Sequence, residues 1–249
     1  MVPVESGTNF GLSMKLKILS WNIWTAGNFE TVINFIKDSN ADIVGLQEVV
    51  SDDSSRDIIG EMKKLGYEGV FKAALKKSKS FPGKVYTDGP AVFSKHKIVN
   101  SESYFDLSEK DNRAAVKIEV EIDRKIVSVL STHLLHTHQK PSEIQEMQVK
   151  NLLSHTPDEK AIVMGDFNAT PESVAIQTMK MKLSDADPQS QPTWSLYPEG
   201  CPVTCRPESV SIRLDYIFTT KDLKTSSFKV ESSKASDHLP VTATLYFKS

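Results

Sequence analysis

The residues best suited to chemistry fall in short polar stretches spread along the chain. Asn22 stands in Ser20-Trp21-Asn22-Ile23-Trp24, and Glu48 in Leu46-Gln47-Glu48-Val49. His133 stands in Ser131-Thr132-His133-Leu134, and Asp166 and Asn168 in Gly165-Asp166-Phe167-Asn168-Ala169. Asp215 lies within Arg213-Leu214-Asp215-Tyr216-Ile217-Phe218, and Asp237 and His238 within Ser236-Asp237-His238-Leu239-Pro240-Val241. Mg²⁺ takes hard oxygen ligands and keeps several waters, so one or two carboxylates suffice to hold it. Glu48 and Asp237 can supply them, with Asn22 assisting. Water attack on a phosphodiester needs a nucleophilic water, a more positive phosphorus and a stabilised leaving oxygen, and a metal ion serves the last two. A histidine oriented by an aspartate manages protons near neutral pH, and Asp215 with His238 offers such a pair. Asn168 and His133 can donate hydrogen bonds to phosphate oxygens as charge develops.

Singly, each of these residues has an ordinary structural use. An Asn after a strand is a turn former, and Gly165-Asp166 is a common turn signal. Asp237 can serve as a cap. Tyr216, Ile217 and Phe218 read as core. His96, His136, His138 and His155 fit no pattern and read as surface or satisfied loop residues, with chelation by His136 and His138 as the alternative for that pair. The ordered set, with polar residues repeatedly at the C-terminal ends of strands, is what points to a site, because loops held by a rigid scaffold carry function.

The elements that must position this set are mostly strands. Lys15 to Asn22, Ile43 to Val50, Gly69 to Leu75, Ala91 to Ser94, Ala161 to Gly165, Ile212 to Phe218, Phe228 to Val230 and Val241 to Phe247 read as strands. Ala114 to Ile122 and Lys125 to Ser131 alternate apolar and polar residues around Asp123-Arg124, which predicts a hairpin. Phe29 to Ser39, Asp53 to Leu65, Pro141 to Leu153 and Glu172 to Lys182 carry helical spacing. Leu183 to Ser211 is polar and proline-containing and reads as the longest loop. No fixed period recurs. The pattern suits two sheets packed face to face with helices outside.

Composition sets the outer bounds. The chain has 249 residues, 39% hydrophobic and 25% charged, within the range of one large globular domain. Residues 1–13 read as a loose leader and 14–249 as one catalytic domain. No run approaches the ~18 apolar residues of a membrane span, and the leader lacks the basic start and apolar core of a secretory signal. An intracellular, cytoplasmic location follows as an expectation. Cys201 and Cys205 are too few for a disulfide framework; free thiols and a small local disulfide both stay open. The net charge of −2 does not mark an obligate nucleic-acid binder. Positive charge is nonetheless concentrated locally: Lys64, Lys72, Lys76, Lys77 and Lys79 lie between Lys63 and Lys84, opposed by Glu68. Such a run is either a solvated face or a contact for a polyanion, with Lys76 and Lys77 the candidate contacts.

Taken together and in order, Ser-Trp-Asn, Leu-Gln-Glu, Ser-Thr-His-Leu, Gly-Asp-Phe-Asn, Leu-Asp-Tyr-Ile-Phe and Ser-Asp-His resemble the endonuclease/exonuclease/phosphatase superfamily, the group that includes DNase I-like nucleases. The resemblance runs from Ser20 to Val241. It implies an α/β (α+β) fold: a four-layered α/β/β/α sandwich of two mainly antiparallel sheets with the site at one edge. It implies Glu48 as the main metal ligand, with Asn22 and Asp237 supporting. Asp166 activates or positions the attacking water, Asn168 binds phosphate, Asp215 and His238 act as a pair, and His133 contacts phosphate or assists the leaving group. Arg113, just before the hairpin, matches an arginine that reaches the phosphate. The implied cofactor is Mg²⁺, with Mn²⁺ as substitute and one or two ions open. The family cuts DNA, RNA, phosphoinositides, sphingomyelin and protein–DNA adducts, and fold does not fix substrate. The lysine-rich segment, with Phe71, Phe81 and Tyr86 in or beside it as stacking candidates, favours a nucleic acid. The alternatives are a sphingomyelinase-type or other small or lipid phosphoester hydrolase, for which Trp194, Leu196 and Tyr197 are the candidate apolar hairpin, and a catalytically inactive binding module.

Overall fold

A computed structural model describes residues 15–25, 27–73, 78–81, 84–101, 104–194 and 210–248, giving the backbone alone for 78–81, 84–86, 104 and 105. The strands are β1 Leu16–Asn22, β2 Ile43–Val50, β3 Glu68–Phe71, β4 Ser78–Phe81, β5 Lys84–Tyr86, β6 Asp88–Ser94, β7 Ile98–Asn100, β8 Tyr104–Asp106, β9 Ala114–Ile122, β10 Lys125–His133, β11 Ala161–Asp166, β12 Ser184–Asp185, β13 Asp215–Thr219, β14 Leu223–Val230 and β15 Val241–Phe247. The α-helices are α1 Phe29–Ser39, α2 Ile58–Lys64, α3 Glu143–Ser154 and α4 Val174–Lys182.

One sheet runs β14-β15-β1-β2-β6-β3 and the other β12-β13-β11-β10-β9-β7, with β8 also on β9 and β4-β5 a separate hairpin. Each large sheet holds one parallel pair, β1/β2 and β10/β11, among antiparallel neighbours. Period-two alternation sorts side chains between layers. Leu16 and Ile18 of β1 enter the core between the sheets, with Ile118, Val129, Ile162 and Met164 from the other sheet. Leu19 and Trp21 face the opposite way and pack with Val32 and Ile36 of α1 and Met62 of α2. Val163 of β11 faces α3 and α4 through Val149, Leu152, Ile176 and Met179. The result is the four-layered α/β/β/α sandwich.

Several boundaries differ from the sequence pattern, each for a local reason. The stretch from Asp53 to Leu65 splits into a 3₁₀ turn, Ser54–Arg56, and α2, because Asp53 and Asp57 each accept a backbone N–H and start a new element. Helix α3 begins after Ser142, whose hydroxyl accepts from the Gln145 N–H, so Pro141 stands outside it. Ser173 caps α4 in the same way and leaves Glu172 outside. The strand expected from Ile212 starts instead at Asp215, because Arg213 turns into a buried ion pair. The expected loop after Leu183 contains β12, and β4 and β5 fall within the lysine-rich stretch. The hairpin turn is as expected, with Asp123 and Arg124 both at positive φ, the conformation a two-residue turn requires. The expected leader, Lys76, Lys77, Cys201 and Cys205 lie outside the described residues. No helix among the described residues is long and apolar enough to cross a membrane.

Candidate active site

Strand register gathers the site. His133 ends β10, Asp166 ends its parallel neighbour β11, and Asp215 begins the antiparallel β13. His133 pairs with Asp166 and Asp166 with Asp215, so the three stand in one row across the sheet. Gly165, just before Asp166, has φ near +150°, and a Cβ there would lie 2.0 Å from the Thr132 carbonyl oxygen. Glycine alone lets β11 come this close to β10.

The facing sheet contributes Asn22 and Glu48. Asn22 ends β1. Glu48 sits where the register of β2 against β6 shifts between Leu46 and Val49, at φ 58°. This bulge takes Glu48 out of the alternation and re-aims its carboxylate. The Glu48 oxygens accept from Asn22 Nδ2 at 3.2 Å and the Thr25 N–H at 3.0 Å.

Asp166 Oδ2 is the point of convergence. Asn22 Nδ2 donates to it at 3.0 Å, and the Nε2 atoms of His133 and His238 lie 3.3 and 3.6 Å away. Its other oxygen accepts the Asn168 N–H at 2.8 Å. Asn168, at φ 49°, follows Phe167, which anchors the turn in the core against Tyr216 and Phe218. His238 Nδ1 lies 2.8 Å from Asp215 Oδ2. That oxygen also accepts the Thr193 hydroxyl at 2.6 Å. Trp21 Nε1 donates to the His238 carbonyl and the Ser236 hydroxyl to the Asn22 carbonyl, which ties the Asp237-His238 loop to β1.

Burial and neighbouring charge set the protonation states. Burial pushes His133 well below the usual histidine range, and the Arg113 charge and the other site histidines add to this. Arg113 therefore bears on the site from the chain before β9. His238 moves the other way: burial opposes its charge, but Asp215 and Asp166 outweigh it and hold the pKa well above the usual value. The two histidines are thus pushed in opposite directions by their surroundings. Burial and the charges of Asp88 and Asp237 raise Glu48 to about 7. Burial and Asp215 raise Asp166, against the pull of His238.

This donor set suits a divalent cation. The ligand atoms of Asp166, Asp215 and His238 lie within 4.8 Å of one another and all three residues are buried, so the two carboxylates offer oxygens directly and His238 a nitrogen once it gives up its proton. Asp215 Oδ1 is buried without a hydrogen-bond partner among the described residues. Asp88 and Asp237 both repel the Glu48 carboxylate electrostatically, which a positive ion would relieve.

Two residues outside the candidate catalytic set stand at the site. His136, expected to be a surface or satisfied loop residue, is half-buried with Nδ1 2.8 Å from Asn168 Oδ1. The available signal was its position three residues beyond His133 in the same post-strand segment. Trp194, a candidate for an exposed apolar hairpin, is buried at 4% exposure. It bridges to Ile212 and His238, and its Nε1 lies 3.4 Å from Asp237 Oδ2. Leu196 and Tyr197 lie outside the described residues. Phe71 is part of the layer under α1 and α2, so it is no free stacking platform.

Two sheets with outer helices and a carboxylate–histidine–asparagine cluster at their shared edge define a class of phosphoester-cleaving sandwiches. The chain belongs to the Endonuclease/Exonuclease/phosphatase family, whose model matches residues 19–238. Members are phosphoesterase hydrolases and generally depend on a divalent metal. Among solved structures, the fold is similar to an endonuclease/exonuclease/phosphatase from Bacteroides vulgatus, at 21% identity and TM-score 0.72 over 94% of this chain and 100% of that one. It is also similar to the human Nocturnin catalytic domain with bound sulfate, at 22% identity and TM-score 0.71, covering 94% of each chain. A third is ANGEL2, a 2′,3′-cyclic phosphatase, in complex with adenosine-2′,3′-vanadate, at 19% identity and TM-score 0.67 over 94% and 96%. These likenesses are of fold. No curated protein sequence matches the chain.

Proposed function

We propose that the chain is a Mg²⁺-dependent phosphodiesterase that delivers water to phosphorus and acts on a nucleic acid. The observation that carries this reading is the convergence of Asn22, His133 and His238 on one buried oxygen of Asp166. A carboxylate so placed orients a water and accepts its proton as the O–P bond forms. Asn168 and neutral His133 hold the phosphoryl oxygens, with Arg113 adding positive charge. His238, kept protonated by Asp215, donates its proton towards the departing oxygen, so that a phosphomonoester and an alcohol result. Glu48 and Asp237 would hold the metal, with Asn22 bracing Glu48. When bound there, Mg²⁺ polarises the phosphoryl group and stabilises the leaving oxygen; Mn²⁺ is the expected substitute.

Local positive charge favours a nucleic acid over a small or lipid phosphoester. Lys76 and Lys77 lie in the lysine-rich stretch, and cation–phosphate contacts dominate nucleic-acid affinity. The adenosine-based ligand of ANGEL2 supports a nucleotide in a site of this fold. The test is hydrolysis of single-stranded DNA, duplex DNA, RNA, a 5′-tyrosyl DNA end, sphingomyelin and bis-p-nitrophenyl phosphate, each with Mg²⁺ and with EDTA. Metal-dependent cleavage of a nucleic acid, weakened by Lys76→Glu with Lys77→Glu, is expected. Cleavage of sphingomyelin alone would move the assignment to a lipid phosphoester, and silence throughout would overturn it.

A further inference from the structure

The segment after β10 is held more firmly than a surface loop requires. The Leu134 N–H donates to the Asp166 carbonyl at 2.9 Å. At Leu135, the N–H donates to Gln148 Oε1 at 3.0 Å, and the carbonyl accepts Gln145 Nε2 at 2.7 Å. Both glutamines are buried on α3, and Gln145 Nε2 also reaches the Asn168 carbonyl at 3.0 Å. One helix face thus pins the chain immediately before His136 and the backbone of Asn168 together.

The side chain of Asn168 is then fixed by elimination. Its Nδ2 donates to the Leu134 carbonyl at 3.0 Å, and a carbonyl can only accept, so the amide orientation is set. Its Oδ1 therefore faces His136 Nδ1 at 2.8 Å and needs a donor there. His136 must carry its proton on Nδ1, which leaves Nε2 as an acceptor facing His138 Nδ1 at 3.2 Å. The ring of His136 also packs edge-on to Trp194, with centroids 6.4 Å apart.

We infer that His136 is a positioning residue for phosphoester cleavage. Its Nδ1–H locks the Asn168 carboxamide so that the second Nδ2 hydrogen is presented to a phosphoryl oxygen, while the Nε2 lone pair of His136 faces His138. The inference rests on the proposed phosphodiesterase reading for its consequence, but its geometry can be tested without turnover. A donor that is locked before substrate arrives needs no reorganisation during reaction. Misplacement of a contact by about an ångström costs up to about 100-fold.

The test combines kinetics on bis-p-nitrophenyl phosphate with imidazole ¹⁵N spectra of the full chain. His136→Ala should lower kcat by about 10- to 100-fold with KM nearly unchanged. His136→Asn, whose amide N–H can replace Nδ1–H, should recover most of that loss. In an Asn168→Ala background, His136→Ala should cost nothing further, because its partner is gone. The spectra should show His136 as the Nδ1–H tautomer in the wild type, with that preference lost in Asn168→Ala. A His136→Ala kcat within twofold of wild type, a His136→Asn variant as slow as His136→Ala, or an Nε2–H tautomer would each overturn the inference. If the wild type cleaves no phosphodiester, the function proposed above fails by itself. The tautomer and its dependence on Asn168 then still decide whether His136 locks that amide.

Discussion

Two clusters of charged side chains, one around Arg213 and one around Glu48, are built on opposite terms. In one, Arg213 is 3% exposed and grips Asp185 through two hydrogen bonds of 2.8 and 2.7 Å, with its guanidinium stacked 4.1 Å over the Tyr216 ring. Its charges are matched and its geometry is bidentate. In the other, burial and then the charges of Asp88 and Asp237 drive Glu48 up to about 7. A matched pair ties down a strand end, whereas like charges facing Glu48 favour a cation beside it. The difference separates architecture from chemistry among residues that look alike in sequence.

The sharpest way to test that separation is to remove a charge from each side. Asp166→Asn keeps the shape of the convergence point but removes its basicity; kcat should fall by about 10³-fold with little change in melting temperature. Asp185→Ala should do the reverse. It leaves buried Arg213 with the more distant Asp187 as its charged partner among the described residues, so unfolding free energy should drop by about 3–5 kcal/mol while kcat stays within about threefold at temperatures where the variant is folded. Denaturant titration beside initial rates reads both, and a catalytic loss without a stability loss in Asp185→Ala would merge the two clusters.

The acidic side makes a prediction with a sign. The folded-state pKa of Glu48 lies above its ordinary 4.5, so its stabilising contribution is full below pH 4.5 and is lost as pH rises through about 7. In metal-free protein the loss should reach about 3 kcal/mol. Glu48→Gln should remove this pH slope and be more stable than wild type at pH 8. Mg²⁺ at a hundred times its Kd should stabilise the wild type by about 2.7 kcal/mol and the variant by less. A slope that persists unchanged in Glu48→Gln would assign it to another group.

The smallest effect is expected at the boundary. Thr193 donates to the same Asp215 oxygen that His238 contacts. Thr193→Val removes that bond without removing the imidazole, so kcat should fall by about 10-fold, comparable to one hydrogen bond to a charged group. No change in kcat would show that His238 alone orients Asp215.

Much of the sandwich was legible because alternation is a local property. β15 spans Val241–Phe247 and α1 spans Phe29–Ser39, the same limits their periodicity predicts. Elements without a periodic signal were missed. β7, β8 and β12 are two or three residues long and exist only because a longer strand offers its edge. The polar set at strand ends was legible for the complementary reason, since such residues interrupt an apolar pattern. His136 and Trp194 were not, because a histidine three residues beyond His133 carries the same local pattern whether it meets Asn168 or water.

By itself, the sequence determined which segments alternate, where caps and turns break them, and which residue types stand at the breaks, since each depends on neighbours a few positions away. Tertiary structure alone decided that His133, Asp166 and Asp215 fall in one row, that a bulge turns Glu48 towards Asn22, and that Arg213 is matched while Glu48 is not. Those facts depend on strand register and on burial shared between segments far apart in the chain. The charge a buried group carries is set by what the fold places beside it.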